Sequence, residues 1–316
     1  MIWWPSDVPR EHSAAGLLAQ IGALYYLEGR TQADIAHQLG LSRAKVCRLL
    51  GAAREAGIVR IVVNAPRGVL ATLETELETR FALREVRVVP SSGDEPSPAI
   101  RRQPGIAAAA DLARSARSGH TMGLAGAELL ASMIDAVAPM IASKVGVVQG
   151  FGWEQSPPPR RALMDLVLDL ARRLEGSAVV VSAPSVVDSE SARENLEADP
   201  QISDALHALD ALDTLYTEVE PAKGALAAVG ATAVGSIALR HFDCRGRMLG
   251  EAVDGHVVGL TIEQIRRARH VVALAHGPTQ APVIAAALRT RLVGTLITDE
   301  HTARAIVALP SSLEEP

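Results

Sequence analysis

The sequence has little of what secreted and membrane-spanning proteins depend on. Its two cysteines, Cys47 and Cys244, lie far apart, so we expect no disulfide and a reducing compartment. No stretch of 18 uncharged apolar residues occurs, and the N-terminal residues MIWWPSDVPREH lack the basic and then apolar order of a signal peptide. These absences favour a soluble, cytoplasmic protein that does not contact a membrane.

Signatures of nucleotide-binding and metal-dependent enzymes are also missing. The sequence contains no GxxxxGK[ST] loop and no GxGxxG fingerprint, and the glycines of GATAVG at 230–235 are wrongly spaced for one. Four histidines of the C-terminal half have no metal-ligand spacing, and two cysteines cannot complete a site. These histidines are His241, His256, His270 and His276. We therefore expect no metal and no cofactor.

Aliphatic residues are what the chain has in abundance. Hydrophobic residues make up 48% of the 316 residues but aromatic residues only 3%, so the core must consist of alanine, valine, leucine and isoleucine. The length suits a small domain joined to a larger one. The formal net charge is −5, against which a local cluster of cations stands out.

Residues 31–57 have the pattern of a helix–turn–helix. Thr31 and Ser42 stand where the two helices should begin, and their hydroxyls can accept from the free amides of the first turn. Gly40 suits the left-handed backbone expected at the turn. Apolar residues at helical spacing predict the buried faces of both helices. They are Ile35, Leu39, Val46, Leu49 and Leu50.

The second of these helices carries a concentrated positive charge. Residues 42–60 contain a single carboxylate, Glu55, and five cations. The cations are Arg43, Lys45, Arg48, Arg54 and Arg60. A recognition helix presents its first turns to base edges in the major groove, where arginine is the usual partner of guanine. The residues expected to contact bases are Ser42, Arg43, Lys45 and Arg48, and those expected to contact phosphates are Thr31, Gln32 and Tyr26.

Two further segments complete a predicted winged DNA-binding domain over residues 1–66. They are a helix at 13–28 and a short wing-like strand, IVRIVVN, at 58–64. A connecting segment, 67–84, then contains an amphipathic helix whose apolar face consists of Leu70, Leu73, Leu77 and Phe81. That helix either packs on the following domain or pairs with its copy in a dimer.

Strands and helices alternate through the predicted third region, residues 85–316. The strands are expected at 85–90, 120–125, 144–150, 177–184, 214–219, 256–261, 270–277 and 294–300, with a polar helical stretch over 188–209. Helices between apolar strands predict a parallel sheet covered on both faces, a doubly wound Rossmann-like α/β domain. Ligands bind such sheets at the carboxyl ends of the strands. Three glycine-containing loops at 123–128, 149–155 and 276–282 have that position and could turn amides toward an anion.

The segment IGALYYLEGRTQADIAHQLGLSRAKVCRLLGAAREAGIVRI resembles the helix–turn–helix of the SorC-type family of bacterial sugar-operon regulators. The resemblance continues through SAPSVVDSESARENLEADPQI, AVGATAVGSIALRHFDCRGRML, VVGLTIEQIRRARHVVALAHG and LVGTLITDEHTARAIV, so it covers the chain from about Leu17 to Val307. It implies a winged DNA-binding head and an effector domain related to sugar-phosphate isomerases. It also implies dimers or tetramers that are controlled by a phosphorylated sugar or a similar metabolite.

Departures from the family pattern fall on the effector site. Ser236 follows Gly235 where the family usually has aspartate. Gln280 lies close to the position at which the family usually has a lysine. The sequence GLAGAEL at 123–129 replaces a loop that commonly reads GxSWGRT in the family. A phosphate dianion needs cationic or hydroxyl donors, and Glu128 would repel it unless its carboxylate points away. The effector is therefore expected not to be a phosphosugar or to bind through different residues. The candidate effector residues are Gly123, Leu124, Ala125, Gly126, Glu128, Gln149, Gly150, Gly152, Ser236, His276 and Gln280.

These observations predict a sequence-specific transcriptional regulator that binds double-stranded operator DNA as a homodimer or homotetramer in the nucleoid. Its region 85–316 would sense a sugar, a sugar phosphate or a related metabolite and mediate oligomerisation. One alternative is a degenerate C-terminal domain that serves only assembly. Another is an isomerase-like enzyme, whose candidate bases would be Glu128, Asp188, Asp254 and His276. None of these stands in a catalytic motif, so we expect no enzymatic activity.

Overall fold

A computed structural model describes residues 14–56, 58–59, 70–91, 101–138, 144–153, 161–222, 232–250 and 254–310. The chain divides into two units, residues 1–63 and 64–316. The wing-like strand predicted at 58–64 lies outside the described residues, except for Ile58 and Val59, which form a bend.

The described part of the N-terminal unit consists of three helices around one small core. Helix α1 spans Ala14–Gly22 and continues as a π-helical turn over Ala23–Leu27, α2 spans Gln32–Leu39, and α3 spans Arg43–Glu55. The buried members of the core are Ile21, Leu24, Ile35, Ala36, Val46 and Leu50. The predicted helix–turn–helix and the helix before it are confirmed.

The C-terminal unit is built on one sheet. Its strands are β1 (Glu85–Val89), β2 (Thr121–Ala125), β3 (Gly146–Gln149), β4 (Ser177–Val179), β5 (Thr214–Pro221), β6 (Gly235–Ile237), β7 (Arg240–Phe242), β8 (His270–Leu274) and β9 (Thr295–Asp299). Its helices are α4 (Ala71–Phe81), α5 (Gln103–Ser115), α6 (Glu128–Ala136), α7 (Leu163–Arg173), α8 (Glu190–Glu197), α9 (Pro200–His207), α10 (Ile262–Arg267), α11 (Ala281–Arg289) and α12 (Glu300–Val307).

The strand order is β1-β9-β8-β5-β2-β3-β4, and all neighbours along this path are parallel. Helices α5, α6 and α7 contact one another in turn, as do α4, α12 and α11. The chain moves outward from β2 to β4 and then in the opposite direction from β5 to β9, so the strand order reverses between β2 and β5. This confirms the predicted doubly wound sheet and identifies its topological switch point.

Helix α4 packs on the C-terminal unit through Leu77 and Phe81, which are buried in the main core. Two of its glutamates also bond to the outer edge of β1. Glu78 accepts from the amide of Val86 at 2.8 Å, and Glu74 accepts from the amide of Val88 at 3.0 Å. These carboxylates satisfy amides of the edge strand that would otherwise lack a neighbouring strand.

Three segments differ from the sequence-based expectation. HVVGLT at 256–261 is not a strand of the sheet, because its residues form only isolated antiparallel bridges to loops near Phe151 and Val186. Strand β4 ends at Val179, well before Pro184. The helical stretch at 188–209 is two helices, because Asp199 caps a new helix that has Pro200 in its first turn.

The antiparallel hairpin of β6 and β7 is a feature that the sequence pattern did not predict. Its two turn residues, Ala238 and Leu239, have φ angles of 49° and 63°. Such turns usually contain glycine, asparagine or aspartate, so the sequence carries no recognisable turn signal here.

Candidate nucleic-acid interface and effector site

Local hydrogen bonds set the start of each helix in the helix–turn–helix. The Thr31 hydroxyl accepts from the Asp34 amide at 3.2 Å, and the Asp34 carboxylate accepts from the Thr31 amide at 3.2 Å. These bonds hold the pKa of Asp34 below its usual value, with the side-chain bond from Thr31 as the main cause. Gly40 ends α2 with a φ of 63°, and Ser42 Oγ accepts from the Lys45 amide at 3.2 Å.

The first two turns of α3 carry exposed cations that have no partner within the described part of the chain. Val46 and Leu50 are buried, whereas Arg43, Lys45 and Arg48 are exposed. None of the three cationic side chains hydrogen-bonds or ion-pairs with a described residue. We call Ser42, Arg43, Lys45 and Arg48 the α3 cation surface. Its charges are free to meet the phosphates and base edges of a nucleic acid.

The three residues predicted to contact phosphates lie before or at the start of α2. The Thr31 hydroxyl donates to the Asp34 carboxylate at 2.6 Å, so its hydrogen is already committed within the protein. Gln32 is half-buried in the first turn of α2. Tyr26 is exposed, and its ring meets that of Tyr25 edge to face at 4.9 Å between centroids.

Strand register brings the three predicted effector loops to one edge of the sheet. Leu124 of β2 lies opposite Gln149 of β3, and Ala125 lies opposite Thr217 of β5. Strand β8 continues this edge on the other side of β5. The loops that follow β2 and β8, and residues 150–153 of the loop that follows β3, therefore lie at the carboxyl edge, on either side of the switch point. Residues 154 and 155 of the predicted loop lie outside the described residues.

Several of the predicted residues are packed too closely to offer a side chain to a ligand. Residues 123–125 are buried within β2. A Cβ atom on Gly150 would lie 2.7 Å from the Leu124 carbonyl oxygen, and one on Gly152 would lie 2.1 Å from the Ala183 carbonyl oxygen. The two glycines therefore allow close approach of neighbouring backbones.

The Gln149 side chain makes two hydrogen bonds within the protein. Its Nε2 donates to the Phe151 carbonyl at 2.8 Å, and its Oε1 accepts from the Val181 amide at 3.4 Å. The side chain is buried, so these bonds satisfy polar atoms that have no access to water. Gln149 thus links the end of β3 to the segment that follows β4.

The loop after β8 is positioned by the start of α12. Asp299 caps that helix and accepts from the Thr302 hydroxyl at 2.6 Å, and the same hydroxyl oxygen accepts from the Gly277 amide at 2.8 Å. His276 and Gln280, the predicted effector residues of this loop, are half-buried. The loop is therefore held while two polar side chains remain partly accessible.

A buried carboxylate that sequence reasoning missed lies at the switch point. Glu218 of β5 accepts from the amide of Leu130 at 2.9 Å. Burial raises the pKa of Glu218 to about 7, and the nearby charge of Glu220 acts in the same direction. Glu220 lies opposite the buried Ser236 of β6. The only sequence signal was a glutamate inside the otherwise uncharged strand TLYTEV.

A buried guanidinium, Arg240, secures the segment over the end of β3. It donates to the carbonyls of Leu260, Gly259 and Asp254, and its Nη1 lies 3.3 Å from the Asp254 carboxylate. Burial lowers the pKa of Arg240 from its usual value, against the attraction of Asp254. The held segment in turn donates the Leu260 amide to the Gly150 carbonyl at 2.8 Å.

The described residues contain neither a candidate metal-binding cluster nor a candidate membrane span. No group of three or more histidine, cysteine, aspartate or glutamate residues is arranged to hold a metal ion. No helix in the same part of the chain is both long and apolar enough to cross a bilayer.

Several known proteins are similar to this chain over most of its length. Residues 68–219 and 224–308 match the family model described as "Putative sugar-binding domain". The chain is 29% identical over 315 residues to the transcriptional regulator LsrR of Enterobacter sp. (strain 638), with 93% of each chain covered. It is 27% identical over 307 residues to the deoxyribonucleoside regulator of Bacillus subtilis (strain 168), with 92% of this chain and 97% of that protein covered. The full-length sorbitol operon regulator SorC from Klebsiella pneumoniae matches its fold with a TM-score of 0.71 at 24% identity, over 92% and 98% of the two chains.

The relatives compared here are named as transcriptional regulators, and a helix–turn–helix unit followed by a doubly wound sugar-binding domain defines that class. Within that class, the chain belongs to the SorC-type family of DNA-binding transcriptional regulators. The resemblance in the helix–turn–helix and in the four C-terminal segments is thereby confirmed.

Proposed function

We propose that this protein binds double-stranded operator DNA through α3 and responds to a small sugar-type effector at the carboxyl edge of its sheet. The α3 cation surface is the single observation that carries the DNA-binding role. Three exposed cations without a described partner stand on the first two turns of a capped helix. A recognition helix needs this arrangement to reach base edges.

The protein acts as a homodimer or homotetramer on a palindromic site. Two helix–turn–helix units related by a two-fold axis contact two half-sites about one helical turn of DNA apart. Phosphate contacts set the position of each unit, and the side chains of Arg43, Lys45 and Arg48 select the sequence.

The effector is a polyhydroxyl metabolite bound near the switch point. The match to a sugar-binding family supports this assignment, as do relatives named for deoxyribonucleosides and for a sorbitol operon. His276, Gln280 and Glu128 retain partial or full exposure at the carboxyl edge, so they remain the effector contacts that we favour.

Catalysis is not part of the proposed role. Of the four candidate bases, Asp254 is paired with the buried Arg240, and Glu128 and Asp188 are exposed side chains. General base catalysis needs a carboxylate or histidine held against an anchored substrate. The relatives compared above are named as regulators, which also favours a protein that binds without turning over its ligand.

The DNA-binding role is tested with Arg43→Ala and Gln280→Ala on a duplex selected from a random library. Fluorescence anisotropy should show that Arg43→Ala weakens binding by about 10- to 100-fold, because a good arginine–guanine contact is worth about 1–3 kcal/mol. Gln280→Ala should bind DNA like the wild type when no effector is present. Equal losses from both substitutions would contradict the division into a DNA-binding unit and a sensing unit.

The sensing role is tested by thermal shift of the full chain with free sugars, polyols, phosphorylated sugars and small acids. A ligand at one hundred times its dissociation constant should add about 2.7 kcal/mol to the free energy of unfolding. A response to any of these compounds supports a sensor. Absence of a response from the whole panel would favour the alternative of a C-terminal domain that serves only assembly.

A further inference from the structure

Glu218 occupies an unusual place in the C-terminal unit. It lies near the end of β5, next to the point at which the strand order reverses, and it is only 9% exposed. Its Oε1 accepts from the Leu130 amide in the first turn of α6. A carboxylate from a neighbouring strand is thus bound at the start of a helix that follows β2.

The Glu218 side chain also fills the space beside the turn that leads into α6. A Cβ atom on Gly126 would lie 2.7 Å from Glu218 Cγ and 2.9 Å from Glu218 Oε1. Gly126 has a φ of 152°, so both its conformation and its surroundings require glycine. The Glu218 side chain therefore occupies the space next to Gly126, whether or not its carboxyl group is charged.

A helix N-terminus with free amides is a natural place for a ligand anion, because the amides point outward and the helix dipole favours negative charge. The amides of Leu130, Leu129 and Ala127 all favour the ionised form of Glu218 and so act on it as they would on a bound anion. The internal carboxylate occupies the position that a ligand phosphate would need.

The charges around this position also oppose a second anion. Glu220 lies two residues further along β5, and Glu128 begins α6. No described lysine or arginine hydrogen-bonds to Glu218. A phosphate dianion placed beside Glu218 would meet the carboxylate of Glu218 at close range whenever that group is ionised.

We propose that Glu218 is a specificity-determining residue that keeps phosphate groups out of the switch point, so that the effector is an uncharged polyhydroxyl compound. The proposal rests on the proposed function, since it concerns the ligand of the same site. It predicts that the wild-type protein responds to a free sugar or polyol and not to the corresponding phosphate ester.

The first test measures binding of inorganic phosphate to the full chain by calorimetry at pH 8 and constant ionic strength. The wild type should show no saturable binding. Glu218→Ala vacates the amides and should bind phosphate saturably. Its affinity should be at least about tenfold above the weakest that the assay could detect for the wild type, a difference of 1.4 kcal/mol. Glu220→Gln removes one charge from the same strand without opening the turn, so its gain in phosphate affinity should be much smaller than that of Glu218→Ala.

Two results would overturn the proposal. One is equal phosphate binding by the wild type and by Glu218→Ala, and the other is no phosphate binding by a Glu218→Ala protein whose circular dichroism matches the wild type. If that variant does not fold, Glu218→Ser is measured in its place with the same expected gain.

A second test compares ribose with ribose 5-phosphate and sorbitol with sorbitol 6-phosphate in the thermal-shift assay. Stabilisation of the wild type by either phosphate ester, with none from its parent compound, would also contradict the proposal. Operator binding is measured on the same preparations. If the wild type did not bind the operator, the proposed DNA-binding function would be contradicted. The phosphate measurements would still test the role of Glu218, because they do not involve DNA.

Discussion

The α3 cation surface and the carboxyl edge of the sheet are both candidate binding sites, but their side chains are in opposite states. On α3, Arg43, Lys45 and Arg48 are exposed and have no partner among the described residues. At the carboxyl edge, Gln149 and Glu218 are buried and already hydrogen-bonded within the protein. The first surface can meet a partner without rearrangement, whereas a ligand at the second must use the groups that remain.

The difference follows from the exposure of the polar side chains to solvent at each site. Exposed cations remain hydrated, so a DNA-binding surface can hold unpaired charges at little expense in stability. A buried polar group without a partner destabilises the fold by about 1–3 kcal/mol, so the interior of the sheet must satisfy its own groups. The carboxyl edge therefore contains polar groups that are hydrogen-bonded within the protein beside a few that a ligand could contact.

Breaking that network at Arg240 should have the largest effect. Arg240→Met removes the donor to three carbonyls and leaves the half-buried Asp254 without its cation. Loss of one partner of a buried ion pair destabilises by about 3–5 kcal/mol. We expect a loss near that size in the free energy of unfolding, measured by urea denaturation of the full chain and followed by circular dichroism.

The matched control is Arg304→Met. Arg304 also pairs with a carboxylate, Glu300, but its side chain is 61% exposed. Exposed pairs contribute about 0–1 kcal/mol, so this change should be small. Similar losses from the two substitutions would show that Arg240 does not secure the segment over β3.

The next largest effect should come from the titration of Glu218. Its pKa is about 7 in the folded chain and should be near 4.5 when unfolded, so the folded state holds more protons between these pH values. The free energy of unfolding therefore falls as the pH rises from about 4.5 to 7, by an amount on the order of 3 kcal/mol. Urea denaturation at pH 5 and pH 8 should show that Glu218→Gln reduces this decline.

Glu220→Gln separates the two causes of the shift. Burial is the main cause of the raised pKa of Glu218, and the charge of Glu220 is a lesser one. This variant should therefore keep most of the decline between pH 5 and pH 8. If the free energy of unfolding of Glu218→Gln falls as steeply between pH 5 and pH 8 as that of the wild type, another titrating group is responsible for the fall.

The smallest effect concerns two helix caps with the same geometry. Ser42 Oγ accepts from Lys45 N, and Ser189 Oγ accepts from Ala192 N, each at 3.2 Å. Ser42→Ala and Ser189→Ala should each lower the free energy of unfolding by about 1 kcal/mol. Only Ser42→Ala should also weaken operator binding in the anisotropy assay. A loss of DNA affinity from Ser189→Ala would show that the assay reports stability rather than contact.

Sequence patterns predicted most of the sheet because its central strands are short apolar runs. They failed where pairing depends on distant segments. HVVGLT has the composition of a strand, yet it bridges the loops near Phe151 and Val186 instead of joining the sheet. The hairpin turn at Ala238 and Leu239 uses positive φ angles without glycine, so only the surrounding fold specifies it.

The sequence by itself determined the helix–turn–helix, because its caps, turn and apolar faces involve residues no more than a few positions apart. Thr31 and Asp34, Gly40, and Ser42 each act within one turn of chain, and the cations of α3 lie within two turns of the Ser42 cap. The tertiary structure alone decided the character of the carboxyl edge of the sheet. Glu218 meets Leu130 across 88 residues of sequence, and burial at that contact changes both its pKa and the space left for a ligand. Such effects depend on which segments the fold brings together, and no local pattern of residue types contains that information.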